Sequence, residues 1–193
     1  LSFEYFGRYD IDRTIVVYRG ECILKTFKTI TILSLLFFVL GACSHASLKD
    51  ESKNTVKTVK SSFQEAAKQP NEKSRKIHFY LPEGYKIKDE KPNNIILKNG
   101  SKTYILFVNP QEDSLSKVVY NGTVKQYKQL NTNEKFTSGS KFGFLTIKEL
   151  DDDQNELTVG IGGTKITTQT ETSDLVEDGK AMMQIVNSVK FGK

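Results

Sequence analysis

Apolar residues along this chain follow three different rhythms. Residues 30–40 form an almost unbroken apolar run, interrupted only by Thr31 and Ser34, and Lys25 and Lys28 precede it. Over residues 50–69 the pattern loosens to Val56, Val59, Phe63 and Ala66, at spacings of three, four and three, which puts them on one face of a helix. Asp50 or Ser52 is placed to cap its start, and Pro70 with Asn71 to stop it. This stripe is narrow and made partly of small residues, so the helix is expected as a stalk or as one that leans on a neighbouring domain.

From residue 77 the period shortens to that of strands. His78-Phe79-Tyr80-Leu81 runs into Pro82-Glu83-Gly84, a turn-forming trio, and Tyr85-Lys86-Ile87-Lys88 alternates. Residues 94–98 and 102–108 flank Asn99-Gly100, and Asn-Gly is the preferred pair of a type I′ hairpin turn. Residues 110–130 are ambiguous. Leu115, Val118, Val119, Val124, Tyr127 and Leu130 suggest a helix, with Asn121-Gly122 as an interruption. Residues 142–150 and 156–161 read as strands around the acidic loop Asp151-Asp152-Asp153-Gln154-Asn155, and Gly162-Gly163 turns the chain into a β-branched return over 164–170. A last helix is expected from a cap at Thr172 or Ser173 to about Ser188, with Leu175, Met182, Ile185, Val186 and Val189 toward the sheet and Gly179 as a weak point. Val189-Lys190-Phe191 closes as a short strand or a packed tail.

The fold class is therefore α+β. The expectation is an antiparallel β-sheet built of hairpins, covered on one face by the C-terminal helix and the middle helical segment. A signal segment and a helical or disordered tether precede it.

The apolar run near the start is too short to span a bilayer, which takes about twenty residues. A basic opening, a short apolar core and small residues at its exit describe a secretory signal instead. At that exit, Leu40-Gly41-Ala42-Cys43 resembles the lipobox of bacterial lipoproteins. The resemblance implies signal cleavage between Ala42 and Cys43, an S-diacylglyceryl group on Cys43 and, in some members, a further N-acyl group, so that palmitate would be incorporated. Residues 1–23 fit poorly before a signal and read as a gene-model extension. Residues 24–42 are then the signal peptide, 43–76 a lipidated tether with a weak helix, and 77–193 the α+β domain.

Charge and chemistry narrow the function further. The chain carries 28 basic and 23 acidic side chains. Residues 49–76 hold eight basic against four acidic groups, whereas residues 77–193 hold fifteen of each. A basic excess confined to the tether speaks against nucleic-acid binding by the domain and for contact of the tether with anionic lipid or wall polymer, or for a merely solvated linker. Cys22 lies ahead of the signal, so beyond Cys43 no thiol is left to pair.

No metal, cofactor or catalytic signature emerges. His78 has no second imidazole or thiol nearby in sequence, and the one thiol near His45 is Cys43, which the lipobox resemblance assigns to the lipid. Asp151, Asp152, Asp153, Asn155 and Glu156 lack the order of a calcium loop, and Gly160-Ile161-Gly162-Gly163 is not followed by a helix that could hold a phosphate. There is no G-x-S-x-G elbow.

Leu81-Pro82-Glu83-Gly84-Tyr85, Gly162-Gly163-Thr164 and the closing Ile185-Val186-Asn187-Ser188-Val189-Lys190-Phe191 resemble a small group of uncharacterised Gram-positive, Bacillus-type lipoproteins and, more distantly, PsbP-like α+β domains. That resemblance implies a twisted antiparallel sheet with a long terminal helix, and it transfers no activity. The function expected is that of a lipid-anchored module on the extracytoplasmic face of the cell membrane, binding or accessory rather than enzymatic, with its protein partner unknown. The alternatives are a cell-surface hydrolase using scattered carboxylates, or a structural envelope- or spore-associated lipoprotein.

Overall fold

A computed structural model describes residues 47–192, Asp152 excepted. The signal segment, Cys43 and His45 lie outside the described residues. The chain begins with α1 (Leu48–Gln64), followed by β1 (Glu72–Ser74), β2 (Ile77–Phe79), β3 (Tyr85–Lys91), β4 (Asn94–Asn99), β5 (Lys102–Val108) and α2 (Val118–Val124). Then come β6 (Thr132–Ser138), β7 (Lys141–Glu149), β8 (Gln154–Ile161), β9 (Thr164–Glu171), a 3-10 turn (Thr172–Asp174), α3 (Leu175–Ser188) and β10 (Lys190–Phe191).

Seven strands form one antiparallel sheet in the order β3-β4-β5-β9-β8-β7-β6, and β1-β2-β10 form a small second one. The α+β architecture, with an antiparallel sheet of hairpins packed against helices, is the one the residue pattern anticipates.

Strand alternation divides the large sheet into two faces. On the inner face Leu97, Tyr104, Leu106, Leu145, Ile147, Leu157, Val159 and Ile166 are fully buried in one core with Val59 and Phe63 of α1 and Leu175, Met182 and Ile185 of α3. On the outer face Phe142 and Phe144 form a separate cluster with Val119 and Tyr120. The middle helical segment is thus α2, lying over the outer face. It is α1 that completes the inner layer beside α3.

Helix α1 belongs to the compact unit Ala46–Lys193, so the fold takes in a helix that the sequence pattern placed in the tether. Two glycines make its seat. A Cβ on Gly143 of β7 would lie 2.7 Å from Cε2 of Phe63, so the ring rests directly on that backbone. A Cβ on Gly179 of α3 would lie 3.0 Å from Cγ2 of both Thr55 and Val59. Gly179, a weak point in helix propensity, is where the two helices cross closely.

Several boundaries move for physical reasons. Helix α1 stops at Gln64, well before Pro70, because Asn187 of α3 donates from Nδ2 to the carbonyls of Ser62 (3.3 Å) and Glu65 (3.2 Å) and so satisfies its last turn. The β4–β5 hairpin forms as expected, but its register pairs Asn99 with Lys102, so the two-residue turn is Gly100-Ser101. Gly100, with φ 58°, occupies the first central position, where the II′ class needs positive φ; Asn99 pairs in the strand instead. Asn121 and Gly122 lie inside α2 rather than interrupting it. The chain after it extends into β6, an edge strand whose only buried residue is Phe136. Thr172 and Ser173 belong to the 3-10 turn ahead of α3, and neither caps it through a side chain.

Candidate functional site

The carboxylates that converge most tightly do so on a lysine. Lys102 Nζ, at the start of β5, donates to Asp178 Oδ2 at 2.7 Å, Asp174 Oδ2 at 2.9 Å and Thr170 Oγ1 at 3.1 Å. Tyr104 O–H donates to Asp178 Oδ1 at 2.7 Å, and the Thr170 hydroxyl donates to Asp178 Oδ2. Burial raises the Tyr104 hydroxyl far above the ordinary tyrosine range, with Tyr85 and Asp178 adding to the shift, so it remains a donor. Burial works against the Lys102 charge, but the hydrogen bonds it donates to Asp178 and Asp174 outweigh it and hold the ammonium above its usual range. The result is a closed, mutually satisfied cluster that clamps β5 and β9 to α3. Both carboxylates are committed to Lys102, which leaves no free acid–base pair for hydrolysis there.

A second polar group lies on the outer face. Tyr127 O–H donates to Glu156 Oε1 of β8, and burial together with that carboxylate pushes the phenol well above its ordinary range. Lys165 of β9 donates from Nζ to Thr123 Oγ1 of α2 at 3.1 Å. Burial holds this lysine below its usual range, and the charge of Glu156 only partly opposes the shift. Beside them is an open recess of about 560 Å³ floored by Thr103, Ile105, Thr167 and Gln169. Its floor offers hydroxyls and amides, an ordinary solvated face of an antiparallel sheet.

The residues singled out from sequence are scattered. His78 sits half-buried in β2, opposite Lys73 and Lys190. Asp151 and Asp153 are exposed in the β7–β8 loop, whereas Asn155 is buried and donates from Nδ2 to Thr172 Oγ1 at 2.9 Å, pinning the 3-10 turn. Glu156 faces the opposite side of the sheet from Asn155, as alternation requires. Among the described residues no group of three or more His, Cys, Asp or Glu side chains is disposed to hold a metal ion. No described helix is long and apolar enough to cross a membrane.

The Lys102 cluster is absent from the sequence reading, yet it left a signal. Asp178 lies three residues after Leu175 and four before Met182, a core-facing position on the helix stripe, and a charge there must be paired.

Neither a family model nor a curated protein matches this sequence.

Proposed function

We propose that the chain is a lipoprotein, cut between Ala42 and Cys43 and held on the extracytoplasmic face of the cell membrane by a diacylglyceryl group on Cys43, where the folded unit serves as a binding or accessory module. The observation that carries this reading is Leu40-Gly41-Ala42-Cys43 at the exit of a short apolar run that opens with two lysines. The start of the described fold supports it. Ser47 precedes α1 directly, so the described fold begins four residues after Cys43 in the sequence.

Two acyl chains give stable anchoring without a spanning helix. Lys49 and Lys53, exposed in the first turns of α1, are the described cations nearest the anchor in sequence and suit anionic headgroups or wall polymer.

The test is metabolic labelling with an alkyne analogue of palmitate, followed by fractionation. The native chain should carry label in the membrane fraction, and Cys43→Ala should lose the label and accumulate as uncut precursor. A Cys43→Ala chain that is processed normally and stays membrane-bound, or a native chain without label, would overturn the reading.

A further inference from the structure

The β1–β2 turn and the β3–β4 turn face one another across a cleft of about 330 Å³. It lies at the end of the large sheet opposite the start of α1. There β3 ends and β4 begins, whereas Leu48 lies beside Thr132 and Glu149, where β6 begins and β7 ends. Its walls are apolar: Ile77, Ile95 and Val108 behind, Phe191 in front. Phe191 is half exposed although it pairs with Ile77 in the small sheet. A volume of this order, with apolar walls and few polar groups, is the ordinary make-up of a small-ligand pocket.

Polar groups line it from both turns, Lys91, Asn93 and Asn94 on the β3–β4 side and Ser74, Arg75 and Lys76 on the β1–β2 side. Ser74 lines the cleft, is 1% exposed, and its Oγ has no hydrogen-bond partner among the described residues. A buried hydroxyl without a partner is rare in a native fold and marks a place where an acceptor is expected. The adjacent turn is strained, with Arg75 at φ 51°, a conformation that bulky side chains seldom adopt. Arg75 bridges the cleft, donating from its guanidinium to the Glu90 carbonyl at 3.3 Å. Its charge lies 4.0 Å from Glu90 Oε2, and Lys91 lies 3.9 Å from Asp89, so both are partly neutralised. Lys76 lines the same cleft and has no carboxylate within ion-pair distance among the described residues.

We infer that this cleft binds a small anionic amphiphile, a medium-chain carboxylate. Its head sits at the Ser74–Lys76 corner and its chain lies against Ile77, Ile95, Val108 and Phe191. The Ser74 hydroxyl and the Lys76 ammonium donate to the carboxylate, and the alkyl chain covers the apolar walls. This deepens the reading of the chain as a binder but is independent of its membrane address. A chain that failed to take up palmitate would keep the cleft.

The experiment is photolabelling of the full-length chain in whole-cell lysate, native and Cys43→Ala alike, with a diazirine analogue of decanoate, followed by peptide mapping. Label should concentrate on the peptides that hold Ile77, Ile95 and Val108, and excess decanoate should displace it where decyltrimethylammonium does not. Lys76→Glu combined with Lys91→Glu alters only exposed side chains and leaves the core intact. It should weaken displacement by decanoate by about tenfold, the scale of one lost charge-assisted contact. Label spread over the surface in proportion to exposure, equal displacement by the cationic amphiphile, or a double variant labelled as strongly as the native chain would each overturn the inference.

Discussion

The two faces of the seven-stranded sheet are built from the same strands and finished in opposite ways. Toward α1 and α3, Leu106, Leu145, Leu157 and Ile166 are completely removed from water. On the other side α2 covers Phe142 and Phe144 and reaches Phe107 near the end of β5, while Thr103, Ile105 and Gln169 farther along the sheet remain in solvent. The inner face carries stability. The outer face carries polar groups whose loss the fold should tolerate, which is where sequence change, and any recognition by the sheet, can be accommodated.

Substitutions can break or sharpen that contrast. Leu157→Ala, in the middle of the inner face, should cost about 4 kcal/mol in urea unfolding, through lost burial and the cavity left behind. Asp178→Ala should cost about 3 kcal/mol, because it strands Tyr104, Thr170 and part of the Lys102 charge in a buried setting while Asp174 still holds the lysine. Lys165→Met on the outer face should act in the opposite direction, adding up to about 1 kcal/mol by replacing a half-buried ammonium with an apolar side chain of similar reach. Ile105→Ala should fall within about 0.5 kcal/mol of the native chain. A loss at Ile105 as large as that at Leu157 would end the distinction between the faces.

The two lysines also separate in their response to pH. Lys102 is held above 10.5 in the fold, so its contribution is present at neutral pH and is lost only as pH rises past 10.5 and through the elevated value. Lys165 is held below 10.5, so between its folded value and 10.5 the unfolded chain binds more protons and stability gains as pH rises. The raised phenols of Tyr104 and Tyr127 oppose that gain near pH 10, so urea titrations at increasing alkalinity should show a difference in slope, with the native chain gaining relative to Lys165→Met. An identical slope in the two proteins would contradict the assignment.

Strands β4, β5, β7, β8 and β9 were legible because their alternation is strong and turn residues bound them, Gly100 between β4 and β5, the acidic loop between β7 and β8, and Gly162-Gly163 between β8 and β9. Strand β6 was not, since an edge strand with one buried residue has almost no apolar signature and its polar surface guards a free edge. The short strand β1 was hidden for the same reason. The pairing of α1 with α3 was out of reach, because it depends on Gly143 and Gly179 as close-contact points and on Asn187 reaching across to end α1, and none of these leaves a local pattern. Of the polar sites, Asp178 could have been read from its place on an apolar stripe. The Ser74–Lys76 corner could not, because it is created where two sheets meet.

The course of α1 has a mechanical consequence. Its first residues lie beside Asn131 and Glu149 at one end of the sheet, and its last turn is held by Asn187 at the other, so the helix runs the length of the fold alongside α3. Tension applied at Ser47 along the helix axis is therefore carried in shear along the α1–α3 contact, whereas a pull across that axis would peel α1 from its first turn. Under the axial pull Val59 and Phe63 have to slide out of their seats together before the fold gives way.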